Sequence, residues 1–132
     1  MRITATILLA LFLATPSRAE APMSAAAFEA YTTGKTLTYS VGGTTYGVEE
    51  YLRNRRVRWA FLNDECQEGT WYPSGNMICF EYDGFLDAQC WTFFEKPGGL
   101  VARYENDPEQ LELIETRAAR EPLVCLGPRV GS

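Results

Sequence analysis

The stretch KTLTYSVGGTTYGVEEYLRNRRVRWAFL, residues 35–62, decides the fold because it contains three β-type runs separated by turn residues. Gly42-Gly43 stands between the first two runs and Arg53-Asn54 between the second and third. Connections this short force neighbouring strands to be antiparallel. The stretch therefore predicts the first three strands of an antiparallel meander. The three runs are residues 35–41, 44–52 and 55–62.

The same pattern continues to residue 105. Four more β-type runs are separated by turns such as Pro73-Ser74-Gly75 and Asp83-Gly84, which carry the residues that tight turns require. We expect an all-β fold whose meander closes into a small barrel, because closure removes the exposed edges of a flat sheet. A β-sandwich is the alternative. The four runs are residues 66–72, 76–82, 89–95 and 100–105.

Shorter elements flank the meander. Ser24 is a suitable N-cap for a short helix from Ala25 to Tyr31 that ends near Gly34. After the meander, the segment 111–116 is compatible with a last strand or with a helical turn.

Counting residues outward from the turn predicts which side chains of the second and third strands share a face of the sheet. If Arg53-Asn54 is a two-residue loop, Val48 opposes Trp59 and Glu50 shares their apolar, inward face. Glu49 then points outward. Neither residue of Arg-Asn is glycine, so this turn is not a favoured one, and a slip of one residue would exchange the faces.

The N-terminus has the features of a secretory signal peptide. Arg2 supplies the positive start, residues 3–14 form an apolar run, and Ser17-Arg18-Ala19 places small residues at the cleavage positions. We expect cleavage after Ala19, so that residues 1–19 are the signal peptide and residues 20–132 form one disulfide-bonded β domain. The apolar run is shorter than the ~20 residues that a membrane span needs, and no membrane span is predicted.

The charge balance argues against polyanionic partners. The chain carries a formal charge of −5, and removal of Arg2 and Arg18 with the signal peptide would leave −7. Nucleic acid is therefore not an expected partner.

Four cysteines follow the signal peptide, which predicts two disulfides formed in an oxidising compartment. The strand register places Cys79 across from Cys90, with Ile78 across from Trp91. That pairing leaves Cys66 to bond Cys125, although four cysteines allow three pairings and the sequence does not decide among them.

Metal and cofactor sites are not indicated. The cysteine spacings contain no C-x2-C pair, and the chain has no histidine to complete a zinc site. The absence of histidine also removes Ser-His-Asp and Cys-His catalysis. No metal, cofactor or catalytic residue is predicted. Carboxylate-based hydrolysis is the enzymatic alternative that remains, with candidates at Glu49, Glu50, Asp64, Glu65 and Glu81.

Aromatic side chains are spread over every predicted strand, and in several strands they occupy both alternating faces. They cannot all point into one core layer, so some are expected to line a lumen or a binding surface. Glu50 on the expected inner face would provide a polar group to orient a ligand. The candidate ligand-binding residues are Glu50, Trp59, Tyr46, Trp71 and Trp91.

The segments 46–52, 56–59, 66–71, 78–82 and 89–91 resemble a group of small secreted alphaproteobacterial proteins of unknown function. The shared landmarks are a Gly-x-Trp at 69–71, a Cys at 79 and a Cys-Trp at 90–91. The resemblance implies export to the periplasm and implies no activity. In architecture the chain is also similar to lipocalin-like small barrels and to bacterial lysozyme inhibitors.

These features favour a periplasmic or secreted binding module without catalysis of its own. Its partner is expected to be a small amphipathic envelope molecule or an envelope protein, because the aromatic excess has no accompanying catalytic set. One alternative is an inhibitor of a basic envelope-attacking hydrolase such as lysozyme, toward which the acidic charge would steer the protein. A carboxylate-based hydrolase is the further alternative.

Overall fold

The computed structural model describes residue 14, residues 20–62 and residues 65–125. Each strand pairs antiparallel with the next, and β8 pairs with β1, so the sheet is a closed barrel. The predicted antiparallel meander that closes into a barrel is confirmed, and the alternative β-sandwich is wrong. The elements are α1 (Ala25–Thr32), β1 (Thr36–Val41), β2 (Thr44–Tyr51), β3 (Arg56–Phe61), β4 (Gln67–Ser74), β5 (Met77–Tyr82), β6 (Gln89–Lys96), β7 (Gly99–Tyr104) and β8 (Glu112–Ala119).

The predicted runs agree with the observed strands to within two residues at each end. Gly42 and Gly43 both adopt left-handed φ values in the tight turn between β1 and β2, which glycine does at low cost. Of the segment 111–116, for which a strand and a helical turn are both compatible with the sequence, all but residue 111 belongs to β8.

The hairpin between β2 and β3 differs from the predicted one. Leu52 N–H donates to Arg56 O at 2.8 Å, so the loop has three residues instead of two. Within it Asn54 and Arg55 have φ values of 60° and 58°, in the left-handed region that asparagine tolerates better than most residues. The extra residue shifts the strand pairing by one: Glu49 opposes Trp59, and Glu50 opposes Arg58. The predicted inward position of Glu50 is therefore wrong, and Glu49 is the inward carboxylate.

Helix α1 closes one end of the barrel. Ser24 caps it as predicted, because its Oγ accepts a hydrogen bond from Ala27 N–H at 3.1 Å. Phe28 projects onto the barrel axis, where it is completely buried. Its ring packs against one aromatic ring from each of β2, β4, β5 and β6, at centroid distances of 4.4 to 6.4 Å.

A buried carboxylate ties this helix to the barrel wall. Tyr31 Oη donates to Glu115 Oε2 at 2.8 Å, and Leu100 N–H donates to the same oxygen at 3.2 Å. Gly99 leaves the room for this arrangement, since a Cβ at that position would collide with the Glu115 carboxylate. The helix is thus held by hydrogen bonds as well as by the packing of Phe28.

Both favoured disulfides are present. Cys79 on β5 bonds Cys90 on β6, with Ile78 opposite Trp91 as predicted, and Cys66 bonds Cys125. The second bond holds residues 120–125 against the outside of the barrel. Along this tail, Glu121 O accepts from Thr36 Oγ1 of β1 at 2.7 Å, and Leu123 N–H donates to a carboxylate oxygen of Glu50 on β2 at 3.1 Å.

Two disulfides fit an oxidising extracellular compartment. Apart from residue 14, the predicted signal peptide lies outside the described residues. In the part of the chain that the structure describes, no helix has the length and apolar character that crossing a membrane requires.

Candidate functional site

A cavity of about 100 Å³ lies inside the barrel. Ten of its fifteen lining residues are aromatic, and they come from β1, β2, β3, β5 and β6 and from the β5–β6 loop. The polar side chains other than tyrosine in this lining are Glu49, Gln67 and Gln89. The cavity is therefore an aromatic chamber whose main polar groups are four phenols, one carboxyl and two amides.

The cavity is continuous with a groove at the mouth of the barrel, at the end away from α1. The groove has a volume of about 510 Å³ and shares Tyr46, Phe85, Gln89 and Trp91 with the cavity. Large apolar side chains are exposed around this mouth, and Leu86 is exposed completely. Other exposed apolar side chains here are Phe61, Leu62 and Phe85. The mouth thus offers an apolar surface that leads inward to the chamber.

Glu49 is the carboxylate of the chamber and is only 1% exposed. Tyr82 Oη donates a hydrogen bond of 2.8 Å to Glu49 Oε1, whereas Oε2 has no hydrogen-bond partner among the described residues. Burial raises the pKa of the Glu49 carboxyl well above its usual value, and the hydrogen bond from Tyr82 opposes this only in part. A carboxyl in this environment is costly to ionise unless a partner arrives.

Two further phenols form a polar pair beside this carboxylate. Tyr39 Oη and Tyr51 Oη lie 2.8 Å apart and share a hydrogen bond. Burial raises the pKa of both phenols well above the usual value, and the charge of Glu49 acts in the same direction. Both stay neutral near pH 7, so their oxygens can accept hydrogen bonds in the chamber.

Gly47 shapes the wall of the chamber. It lies on β2 opposite Phe61, and a Cβ there would collide with the Trp59 ring. The absence of a side chain lets the Trp59 ring approach β2 closely, where it also meets Tyr46 at a centroid distance of 5.8 Å. Glycine is required at this position because an aromatic side chain covers its backbone.

The structure brings three of the five predicted ligand-binding residues together: Tyr46, Trp59 and Trp91 all line the cavity. Trp71 does not line it. Its ring packs against Phe28 at the closed end, 5.1 Å between centroids, and under the guanidinium of Arg55 at 4.6 Å.

Glu50, the fifth predicted residue, is buried on the outside of the barrel. One of its oxygens accepts from Leu123 N–H and the other lies 3.8 Å from an Arg58 nitrogen. The prediction that Glu50 lies in the barrel interior is therefore wrong. Its carboxylate is buried because the C-terminal tail covers it from outside.

The candidates for carboxylate catalysis do not form a pair in the cavity. Glu49 and Glu50 lie on opposite faces of β2, and Glu49 is the only acidic side chain among the described residues that line the cavity. Asp64 lies outside the described residues. A dyad that works on a bound substrate needs two carboxyl groups facing it, and the described lining of the cavity provides one.

The polar site residues that are not among the predicted ligand-binding residues include Glu49 and three tyrosines, Tyr39, Tyr51 and Tyr82. The predicted two-residue loop places Glu49 on the outer face, and the three tyrosines lie in predicted strands without a predicted role. Asn54 was the available signal, because asparagine favours the left-handed conformation that a longer loop requires.

We expect the contribution of Glu49 to the stability of the protein to fall as the pH rises above about 4.5, the pH at which glutamate ionises in the unfolded chain. Folded Glu49 keeps its proton to a higher pH, so over that interval the folded state holds one more proton and loses about 1.4 kcal/mol per pH unit from this group. The Glu49→Gln variant should lack this contribution. Its free energy of unfolding, minus that of the wild type, should increase with pH in urea titrations.

The Tyr82→Phe variant is the informative comparison, because Tyr82 donates the hydrogen bond that lowers the pKa of Glu49. Loss of this hydrogen bond should raise the pKa of Glu49 further. The pH range over which the free energy of unfolding falls should then extend to higher pH. A pH-independent difference between the wild type and Glu49→Gln would contradict the assignment.

Comparisons of the chain with protein-family models, with curated proteins and with solved structures gave no match.

Proposed function

We propose that the protein is a binding protein that holds a small amphipathic molecule inside its barrel. The observation that carries the proposal is the aromatic chamber, which contains one incompletely paired carboxylate and opens into an apolar mouth. Concave apolar sites with a few placed polar groups are the usual form of small-molecule sites.

The two volumes define how a ligand would sit. A chamber of about 100 Å³ is somewhat smaller than the ~150 Å³ cavity that accommodates benzene in another protein. It admits only one end of a ligand, about four or five non-hydrogen atoms. The remainder lies in the groove of about 510 Å³, whose apolar walls include Phe85, Leu86 and Leu111. The ligand is therefore a slender molecule with a small buried end and an apolar body.

The place of action that we propose is the periplasm or the extracellular space. The signal-like residues 1–19 would direct export, and the two disulfides would then form after translocation. An amphipathic ligand fits this location because the envelope is rich in such molecules.

A fluorescent amphiphile tests the proposal. N-phenyl-1-naphthylamine fluoresces weakly in water and strongly in an apolar site, and Trp59 and Trp91 lie close enough to transfer energy to it. We expect saturable binding to the disulfide-bonded protein with enhanced probe emission. If the wild type does not bind the probe saturably, the proposed function is wrong.

The Ala102→Leu variant locates the site. Ala102 lines the chamber and is 1% exposed, so a larger side chain there would occupy the space of the ligand. We expect probe binding to weaken by about tenfold or more. The control is Ala118→Leu, the same substitution at an exposed position of β8. Equal binding by the two variants, both folded by circular dichroism, would place the probe elsewhere and contradict the proposal.

A further inference from the structure

The charged side chains that line the chamber and groove among the described residues are all acidic. Among the described residues that line them, the charged side chains are Glu49 in the chamber and Asp87 in the groove, and neither lining contains a lysine or an arginine. Buried carboxylates in proteins are normally paired with a cation or fully hydrogen-bonded. The cation that would complete this site is not supplied by the described part of the chain.

The geometry of Glu49 identifies the missing contact. One oxygen accepts the hydrogen bond from Tyr82, and the other is buried in the chamber without a partner among the described residues. An unpaired buried carboxylate oxygen requires a hydrogen-bond donor. Because the side chain lines the cavity, a donor inside the chamber could reach this oxygen.

The aromatic walls favour a positively charged donor. Trp59 lies opposite Glu49 across the β2–β3 pair, and its indole belongs to a cluster with the rings of Tyr46 and Phe61. The faces of such rings carry negative electrostatic potential and attract ammonium groups. The neutral phenol oxygens of Tyr39 and Tyr51 add hydrogen-bond acceptors to the same lining.

We propose that the ligand is an amphipathic primary amine whose ammonium group enters the chamber and donates a hydrogen bond to Glu49 Oε2 while its apolar chain lies in the mouth groove. This inference rests on the proposed function and specifies the ligand class for the same site. No bond is made or broken, so the site binds the amine and releases it unchanged.

A primary ammonium satisfies the site better than other headgroups of similar size. It has three N–H donors, so it can pair with the carboxylate and still contact the phenol oxygens. A hydroxyl group supplies one donor but no charge. A trimethylammonium group supplies charge but no donor, and a carboxylate brings no positive charge to pair with ionised Glu49.

Competition against N-phenyl-1-naphthylamine tests this ranking on the wild type at pH 8, with hexylamine, 1-hexanol, hexyltrimethylammonium and hexanoate as competitors of equal chain length. We expect hexylammonium to displace the probe at a concentration at least tenfold lower than any of the other three. Equal competition by hexylamine and 1-hexanol would overturn the inference while leaving the proposed function standing, because the probe would still bind saturably at the chamber and its mouth groove. Tighter binding of hexyltrimethylammonium would also overturn it, since Oε2 would then remain unpaired.

Two neighbouring glutamates provide matched variants. Glu49→Gln replaces the inward carboxyl by an amide that cannot ionise to pair with an ammonium, and Glu50→Gln removes the carboxyl that is buried on the outer face. We expect Glu49→Gln to abolish the preference for hexylamine over 1-hexanol and Glu50→Gln to retain it. Loss of the preference in both variants, or in neither, would contradict the role of Glu49. If Glu49→Gln does not fold, the competitor ranking on the wild type still decides the inference.

Discussion

Replacement of Phe28 by alanine is expected to lower the free energy of unfolding by about 3–5 kcal/mol, the range found when a buried phenylalanine is truncated. The side chain of Phe28 is completely buried in the core, with a solvent exposure of 0%. Its ring meets Tyr51, Trp71 and Phe93 within 5.7 Å between centroids. Truncation would remove these contacts and open a void that the surrounding strands cannot close, because they are fixed by their ladders.

Urea denaturation followed by circular dichroism gives the free energy of unfolding directly. Phe85→Ala is the matched control, since this phenylalanine is 53% exposed at the mouth and its truncation should cost less than about 1 kcal/mol. Phe28→Leu should be intermediate, because most of the apolar volume remains. A loss below about 1 kcal/mol for Phe28→Ala would show that α1 does not contribute to the core in this way.

Strands and turns were predictable because they depend on local chemistry. Glycine, proline and asparagine mark the turns, and the alternation of side chains marks the strands, so each can be recognised from a few consecutive residues. Ser24 identified the start of α1 by the same local logic. The opposition of Cys79 and Cys90 followed from one correctly placed hairpin.

The register of β2 and β3 was not predictable with the same certainty, because it depends on a single residue of loop length. Arg53, Asn54 and Arg55 form the loop, and the adoption of positive φ by Arg55 is unusual for a residue other than glycine. That one residue exchanges Glu49 and Glu50 between the two faces. The sequence therefore assigns the principal polar group of the site to its neighbour, and it identifies only three of the ten aromatic residues that line the cavity.

Burial of Glu50 shows a second limit of sequence reasoning. Both glutamates are less than 10% exposed, at 1% for Glu49 and 6% for Glu50, yet only the first is inside the barrel. Glu50 is covered by the tail, whose position depends on the long-range bond between Cys66 and Cys125. Strand alternation contains no information about a segment seventy residues away that folds over the outer face.

Removal of the Cys66–Cys125 disulfide is expected to lower the free energy of unfolding by about 4 kcal/mol. The two cysteines are 59 residues apart, and in the chain-entropy model the loss grows with the length of the loop that the bond closes. The variant Cys66→Ala/Cys125→Ala should retain the barrel, since the eight strands pair without the tail. The tail itself should detach, because its remaining described contacts are the hydrogen bonds of Glu121 and Leu123.

Urea denaturation measures the loss, and hydrogen exchange at Leu123 N–H reports whether the tail has detached. Probe binding should stay within about twofold of the wild type, because the tail covers the outside of the barrel and does not line the chamber.

The comparison variant is Cys79→Ala/Cys90→Ala, which removes a bond that closes a loop of only 11 residues, so that the entropic loss is about 3 kcal/mol. This second pair lies between Ile78 and Phe80 on β5 and beside Trp91 on β6, so its removal should also weaken probe binding. If removal of Cys66–Cys125 weakened binding as much as removal of Cys79–Cys90, the chamber would depend on the tail, and the separation of an outer tether from an inner binding site would be wrong.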